Sequence, residues 1–238
     1  MSALRKVYRT HGIKLRVLKF DQLLTAAQMA AIERAKLQVF PRVIKLIKND
    51  ANIVFVDEAV FTSNQVRARY WAKAGRQPLE VPKAKLGFKA VAVVAALDLR
   101  GKVVSLITRE KSIDTEAFLE FMNKLCRKMR GKKTYVFLDN LRIHHTSAIT
   151  RRAAENKQEL VFNASYSSPF NPIERLWAIA KRQFILNCVT DTDFRSQAEI
   201  SALVKKFVLE ASAATLEKHI YDCLKQMEEA VFELRGVN

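Results

Sequence analysis

YVFLDNLRIHH (residues 135–145) begins as an apolar run typical of a strand buried on both faces, and that run ends on a carboxylate, Asp139. A second run of the same kind, IVFVDE (residues 53–58), carries Asp57 near its end. Both aspartates are therefore predicted to lie at strand ends rather than in solvated turns.

A third carboxylate, Glu174, lies in YSSPFNPIERLWAIAK (residues 166–181), with 34 residues between it and Asp139. Pro172 shortly precedes it, and proline is favoured at the start of a helix because its missing N–H would have no partner there. Glu174 is therefore predicted to begin a helix. Two strand-end aspartates and one helix-borne glutamate together indicate a metal site.

The order of the predicted elements is three strands, a helix, a strand, a helix, a strand and a helix. The segment from Asp98 to Gly101 predicts a hairpin turn, so the first three strands are expected to form an antiparallel meander. The later strands alternate with helices and should pair in parallel through right-handed crossovers. This α/β pattern, a mixed five-stranded sheet flanked by helices, resembles the RNase H-like arrangement. The first and fourth strands are neighbours in that arrangement, which would bring Asp57 and Asp139 together.

Three regions are expected along the chain. Residues 1–50 carry 11 Lys or Arg against 3 acidic residues and predict a basic helical linker, either an arm packed on the core or a remnant of a DNA-binding region. Within it, Thr25 predicts a capped helix start and Pro41 predicts an interruption between two helices. Residues 51–190 predict the α/β domain, and residues 191–238 predict C-terminal helices packed on it.

The formal net charge of +17, from 41 Lys and Arg against 24 Asp and Glu, favours polyanionic partners. Nucleic acid is the first candidate and an anionic membrane surface the second. The sequence lacks an apolar run near the ~18 residues of a spanning helix and lacks a secretory signal, so neither a membrane partner nor secretion is expected. Three widely spaced cysteines predict free thiols in a reducing compartment. The expected location is the nucleus in a eukaryote, or the cytoplasm with its nucleoid in a bacterium.

Three carboxylates within a few ångströms of one another repel, and their pKa values would rise. A divalent cation removes this repulsion, and Mg²⁺ prefers oxygen ligands. Two such ions about 4 Å apart would activate an attacking hydroxyl and stabilise the leaving oxygen of a phosphodiester displacement. The carboxylates therefore predict metal-dependent phosphodiester chemistry.

Several motifs carry a more specific resemblance. They are VFVDE around Asp57, the segment YWAKAG, VFLDN-x-x-x-H from Val136 to His144, and Y-S-x-x-x-NPIE-x-x-W from Tyr166 to Trp177. In this order and spacing, the chain resembles the DDE catalytic domain of the mariner superfamily of transposases over about residues 50–190.

The resemblance implies that Asp57, Asp139 and Glu174 are the metal-binding catalytic residues of a DDE-type endonuclease and strand transferase. It implies two Mg²⁺ ions per site, with Mn²⁺ as a substitute. The implied reaction is cleavage at transposon ends followed by transfer of the 3′-hydroxyl into target DNA. The implied partners are double-stranded DNA and a second copy of the chain in a synaptic homodimer.

The chain departs from the family pattern before Glu174. Family members usually read Y-S-P-acid-L-N-P, whereas Tyr166 begins the sequence YSSPFNP, in which the proline is displaced by one position and the acid is absent. This change predicts an altered loop geometry. The family's paired helix-turn-helix modules are also not visible in this chain.

Contacts with DNA are expected from two groups of residues. The first group surrounds residues 72–87, a segment with two prolines and two glycines that predicts a long loop flanked by lysines and arginines. The second group consists of polar residues near Asp139 and Glu174. The candidates are Arg67, Arg69, Lys73, Arg76, Lys85, Asn140, His144, Lys181 and Arg182. For each lysine or arginine, the alternative to a DNA contact is a solvated charge on the protein surface. Asn140 and His144 either orient a ligand or contact phosphate, or else they cap and line the next helix.

Two other functions remain open at this point. One is a domesticated or decayed transposase that binds DNA without cutting it. The other is a different RNase H-like nuclease, such as a junction resolvase or an RNA–DNA hybrid hydrolase.

Overall fold

The strands and helices were assigned in a computed structural model that describes residues 24–62, 90–110, 112–190 and 196–236, together with Val7 and Thr10. The chain divides into two units, residues 1–31 and residues 32–238. Among the described residues, no helix combines the length and apolar character needed to cross a membrane. In chain order, the elements are α1 (Ala26–Lys48), β1 (Ile53–Thr62), β2 (Ala90–Asp98), β3 (Val103–Glu110), α2 (Thr115–Lys128), β4 (Thr134–Leu138), α3 (Ser147–Glu155), β5 (Gln158–Phe162), α4 (Glu174–Thr190), α5 (Gln197–Leu209) and α6 (Ala213–Leu234).

The five strands form one mixed sheet in the order β3-β2-β1-β4-β5. β1, β2 and β3 pair antiparallel as a meander, whereas β4 pairs in parallel with both β1 and β5. The predicted mixed sheet, with the first and fourth strands as neighbours, is therefore confirmed. β2 is buried along nearly its whole length, as expected for an interior strand covered on both faces.

The two faces of the sheet pack against different helices. Side chains alternate along β1, so Val54 and Val56 lie on one face while Phe55, Ala59 and Phe61 lie on the other. The first face is covered by α2 and α3. The second is covered by α4, α5 and α6 and by the buried residues of α1. Because Asp57 follows the Phe55 alternation, it lies on the α4 face of the sheet.

Helix α1 confirms one prediction and corrects another. The predicted capping box is present, since the Gln28 backbone N–H donates to Thr25 Oγ1 (3.2 Å) and the Thr25 N–H donates to Gln28 Oε1 (2.9 Å). The predicted interruption at Pro41 is wrong, because the helix continues through it to Lys48. A proline inside a helix removes one backbone hydrogen bond. Here Phe40 and Val43 are buried on either side of it, so packing maintains the helix.

The turn between β2 and β3 is fixed by its own residues, as predicted. Asp98 Oδ1 accepts hydrogen bonds from the backbone N–H groups of Arg100 (2.9 Å) and Lys102 (2.8 Å). Gly101 adopts φ +69°, which favours glycine. A Cβ atom there would lie 2.1 Å from the carbonyl oxygen of Ala213 at the start of α6. The turn therefore requires glycine both for its conformation and for its contact with α6.

Candidate metal centre

Asp57, within β1, and Asp139, just beyond the end of β4, both follow the last residue pair of these parallel strands. Phe55 and Phe137 are the last paired residues of the two parallel strands, and each aspartate lies two residues beyond its phenylalanine. The predicted strand-end position is confirmed for Asp139, because β4 ends at Leu138, but is wrong for Asp57, because β1 continues past it to Thr62, paired with β2. Both carboxylates therefore lie two residues beyond the last β1–β4 pair. At this point Asp139 has left the sheet, whereas Asp57 is still within β1. The strand pairing expected to bring them together is present.

Glu174 is the first residue of α4, as predicted, and its charge acts on Asp57. Burial is the largest cause that raises the pKa of Asp57 to about 7, and the neighbouring charges of Glu174 and Glu58 raise it further. Burial also raises the pKa of Glu174, although the positive charge of Lys181 opposes this. These shifts are expected of carboxylates gathered without enough positive charge, and they fit a site that takes a cation.

The loop before α4 is tied to β1 next to Asp57. The side-chain amide of Asn171 donates to the carbonyl oxygen of Val56 (3.1 Å), and Asn171 is only 2% exposed. The displaced proline, Pro169, lies in a short 3₁₀ helix, and Phe170 beside it packs on Phe40 with ring centroids 4.7 Å apart. Despite the altered sequence of this loop, α4 still begins at the glutamate.

Trp177 contributes a contact that was not anticipated from the sequence. It is buried in the core, and its Nε1–H also donates to Asp57 Oδ2 (3.0 Å). Trp177 lies one turn beyond Glu174, so α4 supplies both a carboxylate next to Asp57 and a donor that holds it. The signal available in the sequence was the three-residue spacing between Glu174 and Trp177, which places them near one face of the helix.

A second chain of contacts begins at Asp139. The ring of His144 lies between two carboxylates, with Nδ1 2.9 Å from Asp139 Oδ1 and Nε2 2.9 Å from Glu58 Oε1. Burial disfavours the charged ring, but the hydrogen bonds to Asp139 and Glu58 outweigh it and raise the pKa of His144 to about 9. The side chain of His144 is 1% exposed. This placement favours an orienting role for His144 over contact with a phosphate group.

Glu58 is the residue whose part in the site was missed. Strand alternation points Glu58 away from Asp57, and on that opposite face of the sheet it reaches His144. Glu58, Asp139 and His144 each offer one ligand atom, and these atoms lie within 4.8 Å of one another. The centre therefore contains two groups of side chains: Asp57 with Glu174, and Glu58 with His144 and Asp139.

The remaining predicted contact residues differ in accessibility. Asn140 is exposed and its Oδ1 accepts a hydrogen bond from His145 Nε2 (2.5 Å). On α4, Lys181 is half-buried near Glu174 and Arg182 is exposed. The other five predicted contacts fall outside the described residues, and they are Arg67, Arg69, Lys73, Arg76 and Lys85. All nine assignments remain predictions.

A groove of about 300 Å³ adjoins the centre between the segment from Asp139 to Leu141 and the loop that follows β5. Asn163 and Ser167 are buried in that loop, and the Asn163 side-chain amide donates to the Ser167 carbonyl oxygen (2.8 Å). Tyr166 projects from the loop, 64% exposed. The groove thus offers an open approach to Asp139.

Comparison with known proteins bears on both fold and family. The fold is similar to that of the Mos1 transposase paired-end complex with left transposon end (TM-score 0.70, 16% identity, 98% of this chain and 70% of that chain). It is also similar to the crystal structure of the catalytic domain of Mos1 mariner transposase (TM-score 0.63, 13% identity, 91% of this chain and 98% of that chain). These similarities confirm the RNase H-like fold. No curated protein matches the chain.

A family model described as DDE superfamily endonuclease matches residues 52–193. The match begins just before β1 and extends beyond α4. It therefore includes the two aspartates that follow the last β1–β4 pair and the glutamate at the start of α4. Since it spans more than half of the chain, the protein belongs to the DDE superfamily of endonucleases.

Proposed function

We propose that this chain is the catalytic domain of a transposase, with Asp57, Asp139 and Glu174 as its cation ligands. Its reaction is cleavage of DNA phosphodiester bonds and transfer of the freed 3′-hydroxyl to target DNA. The observation that carries the proposal is the placement of the carboxylates: Asp57 and Asp139 each lie two residues beyond the last β1–β4 pair, and Glu174, at the start of α4, acts on Asp57. Membership of the DDE endonuclease family supports the cleavage step.

The cation of the proposed site is Mg²⁺ or Mn²⁺, with two ions per site. Mos1 paired-end complexes have been solved with Mn and with Mg. The donor set of this chain fits such ions, because it consists of carboxylate oxygens and because the pKa of Asp57 is raised to about 7 by burial and by neighbouring negative charge. When bound, the ions would supply Lewis-acid stabilisation of the reacting phosphate and activation of the attacking hydroxyl.

The contribution of the protein itself is to position the proposed ligands. The indole N–H of Trp177 holds one oxygen of Asp57, and Asn171 fixes the start of α4 against β1. Lys181 and Arg182 lie two turns beyond Glu174 on α4, where they contact the phosphates of a DNA strand that leaves the centre. Such contacts contribute affinity without sequence preference.

The proposed partners are transposon-end and target DNA, together with a second copy of the chain in a synaptic homodimer. The net charge of +17 supports a polyanionic partner. The proposed site of action is where the DNA lies, in the nucleus or the nucleoid. The proposed organisation remains a basic linker over residues 1–50, the catalytic domain over 51–190 and C-terminal helices over 191–238.

The test is nicking of supercoiled plasmid DNA by the purified chain in Mn²⁺ or Mg²⁺. Asp57→Ala, Asp139→Ala and Glu174→Ala should each lower the nicking rate by about 10³-fold or more, roughly 4 kcal/mol of transition-state stabilisation. Glu229→Ala is the matched control, since it removes a carboxylate that is 60% exposed on α6. DNA affinity should persist in all four variants, because Lys and Arg supply it. Nicking retained within a few-fold by the three site variants would overturn the ligand assignment.

Product analysis separates this function from its alternatives. A chain that binds DNA but does not nick it in either metal is a DNA-binding relic of a transposase. A chain that nicks but never joins a 3′-hydroxyl to a second DNA is a plain RNase H-like nuclease.

A further inference from the structure

Of the three proposed ligands, Asp139 is the one that regular secondary structure holds least. It is the first residue beyond β4, and its side chain is 34% exposed. Asp57, in contrast, lies within β1 and accepts a hydrogen bond from Trp177, and Glu174 begins a long helix. A ligand at a strand end can adopt several rotamers, and binding a cation then costs the entropy of fixing one of them.

The side chain that contacts Asp139 is itself rigidly held. His144 is fully buried in the turn Arg142–His145, its ring lies 4.3 Å from that of Phe118, and its backbone N–H donates to the Leu141 carbonyl oxygen (3.0 Å). Its Nδ1 lies 2.9 Å from Asp139 Oδ1 and 3.3 Å from the Asp139 carbonyl oxygen. One ring nitrogen is thus directed at both the side chain and the backbone of the same residue.

Glu58 fixes the other side of the ring. Its Oε1 lies 2.9 Å from Nε2, and its side chain is only 15% exposed. Glu58 belongs to β1, the strand that also carries Asp57, so the ring is anchored to the central strand of the sheet. A chain of contacts therefore runs from β1 through Glu58 and His144 to Asp139.

We propose that Glu58 and His144 form a positioning clamp, in which Glu58 orients the His144 ring and the ring holds Asp139 Oδ1, leaving Oδ2 for the cation. This inference rests on the proposed function, since it concerns the same centre. Carboxylate oxygens only accept hydrogen bonds, so each ring nitrogen donates in this arrangement. Partners of this kind commonly affect metal affinity by about 10- to 100-fold when they are removed.

A direct ligand role for the His144 ring is the competing arrangement, since its nitrogen and the two carboxylates lie close enough to share an ion. The ring favours a clamp, because its two nitrogens face opposite directions and each is already opposed by a carboxylate oxygen. An ion bound to either nitrogen would replace one of these hydrogen bonds.

The test uses Mn²⁺ alone as the probe, with affinity measured by electron paramagnetic resonance on the full chain. His144→Leu leaves Glu58 buried without a partner, so it is paired with Glu58→Met, which replaces both polar groups by apolar ones. This double variant should fold, shown by circular dichroism, and should bind Mn²⁺ about 10- to 100-fold more weakly than the unmodified chain. His144→Asn, whose amide keeps a donor near the position of Nδ1, should recover part of that loss. His219→Leu on α6 is the matched histidine control and should change nothing.

A second readout on the same samples separates clamp from ligand. Electron spin echo modulation from a directly bound imidazole nitrogen should be absent in the unmodified chain with Mn²⁺, and its presence would overturn the clamp. Unchanged affinity in the folded double variant would also overturn it. In either case, loss of binding in Asp57→Asn and Glu174→Gln would leave the proposed function standing. Failure of the unmodified chain to bind Mn²⁺ would overturn both.

Discussion

Among the described carboxylates, Asp57 has the pKa that is raised furthest above its ordinary value. Burial, Glu174 and Glu58 raise its pKa to about 7, while the indole N–H of Trp177 lowers it. In the unfolded chain Asp57 ionises near its ordinary value of about 4. The folded state therefore retains a proton that the unfolded state loses between these pH values. Stability is highest at low pH within this window and falls as the pH rises through it.

His144 extends the same trend to higher pH. Its pKa is raised to about 9 in the folded chain, because the hydrogen bonds to Asp139 and Glu58 outweigh the effect of burial. The ordinary value is about 6.5. The stabilisation that it contributes is complete below that value and is lost as the pH rises towards 9. Both residues therefore make the metal-free protein less stable in alkaline solution.

We expect the melting temperature of the metal-free protein to fall as the pH is raised from 4 to 9. Asp57→Asn should flatten the part of the curve between about pH 4 and 7, where each unit of pKa difference corresponds to about 1.4 kcal/mol. The part above pH 7, which depends on His144, should remain. Differential scanning calorimetry in chelator measures both curves. Asp50→Asn, which alters an exposed aspartate, is the control. An unchanged slope between pH 4 and 7 in Asp57→Asn would contradict the assignment.

At the residue scale, the three carboxylates could be proposed from the sequence, but the side chains that contact Asp57 and Asp139 could not. Asp57 and Asp139 stand at the ends of recognisable apolar runs, and Glu174 follows a proline that marks a helix start, so local pattern was sufficient to propose them. Trp177 reaches a residue 120 positions earlier and His144 reaches one 86 positions earlier. Contacts at such separations depend on the packing of helices against the sheet, which local pattern does not encode.

At the scale of elements, the turn between β2 and β3 is the most sharply constrained connection. Gly101 combines a positive φ with a close approach to the first turn of α6, so it couples the meander to a helix more than 100 residues later in the chain.

Gly101→Ala should destabilise the protein by several kcal/mol, because its Cβ would lie 2.1 Å from the Ala213 carbonyl oxygen and 2.7 Å from the Glu217 nitrogen. Gly131→Ala provides a matched control, since Gly131 also has a positive φ (+83°) but has nothing within 4 Å of the added atom. The control should lose only the backbone strain, roughly 1–2 kcal/mol. Urea unfolding measures both. An equal loss of unfolding free energy in the two variants would show that the close approach to α6 does not contribute to the destabilisation.

Elements were predictable wherever local chemistry and tertiary packing agree. Three such predictions were confirmed: the capping box at Thr25, the turn at Asp98 and the helix start at Glu174. In the first two, a side chain of the motif accepts a hydrogen bond from a backbone N–H of the same motif. Pro41 was misjudged because its local effect opposes the helix. Burial of the apolar side chains on both sides of it outweighs the one hydrogen bond that proline removes.

At the scale of the whole molecule, charge is the property with the widest effect. An excess of 17 positive charges over 238 residues attracts DNA over a distance set by the salt concentration. Affinity should therefore depend steeply on salt, because each phosphate contact releases bound counterions.

We expect the logarithm of DNA affinity to fall linearly with the logarithm of salt concentration, with a slope of about 0.9 for each phosphate contacted. Replacing Lys181 and Arg182 together by glutamine should lower that slope by about 2. Lys225→Gln on α6, which removes an exposed lysine paired with Glu229, should leave the slope unchanged. Fluorescence anisotropy with a labelled duplex measures all three proteins. Binding that is insensitive to salt would argue against a DNA partner.

The position of Glu174 along the chain also determines what a shortened copy of the protein would lose. All five strands are complete by Phe162, twelve residues before the glutamate. Helices α4, α5 and α6, which cover the face of the sheet that carries Asp57, all begin at or after Glu174. A copy that is interrupted before residue 174 would keep its sheet-forming segments but would lose both the third proposed ligand and the helices that cover one face of the sheet.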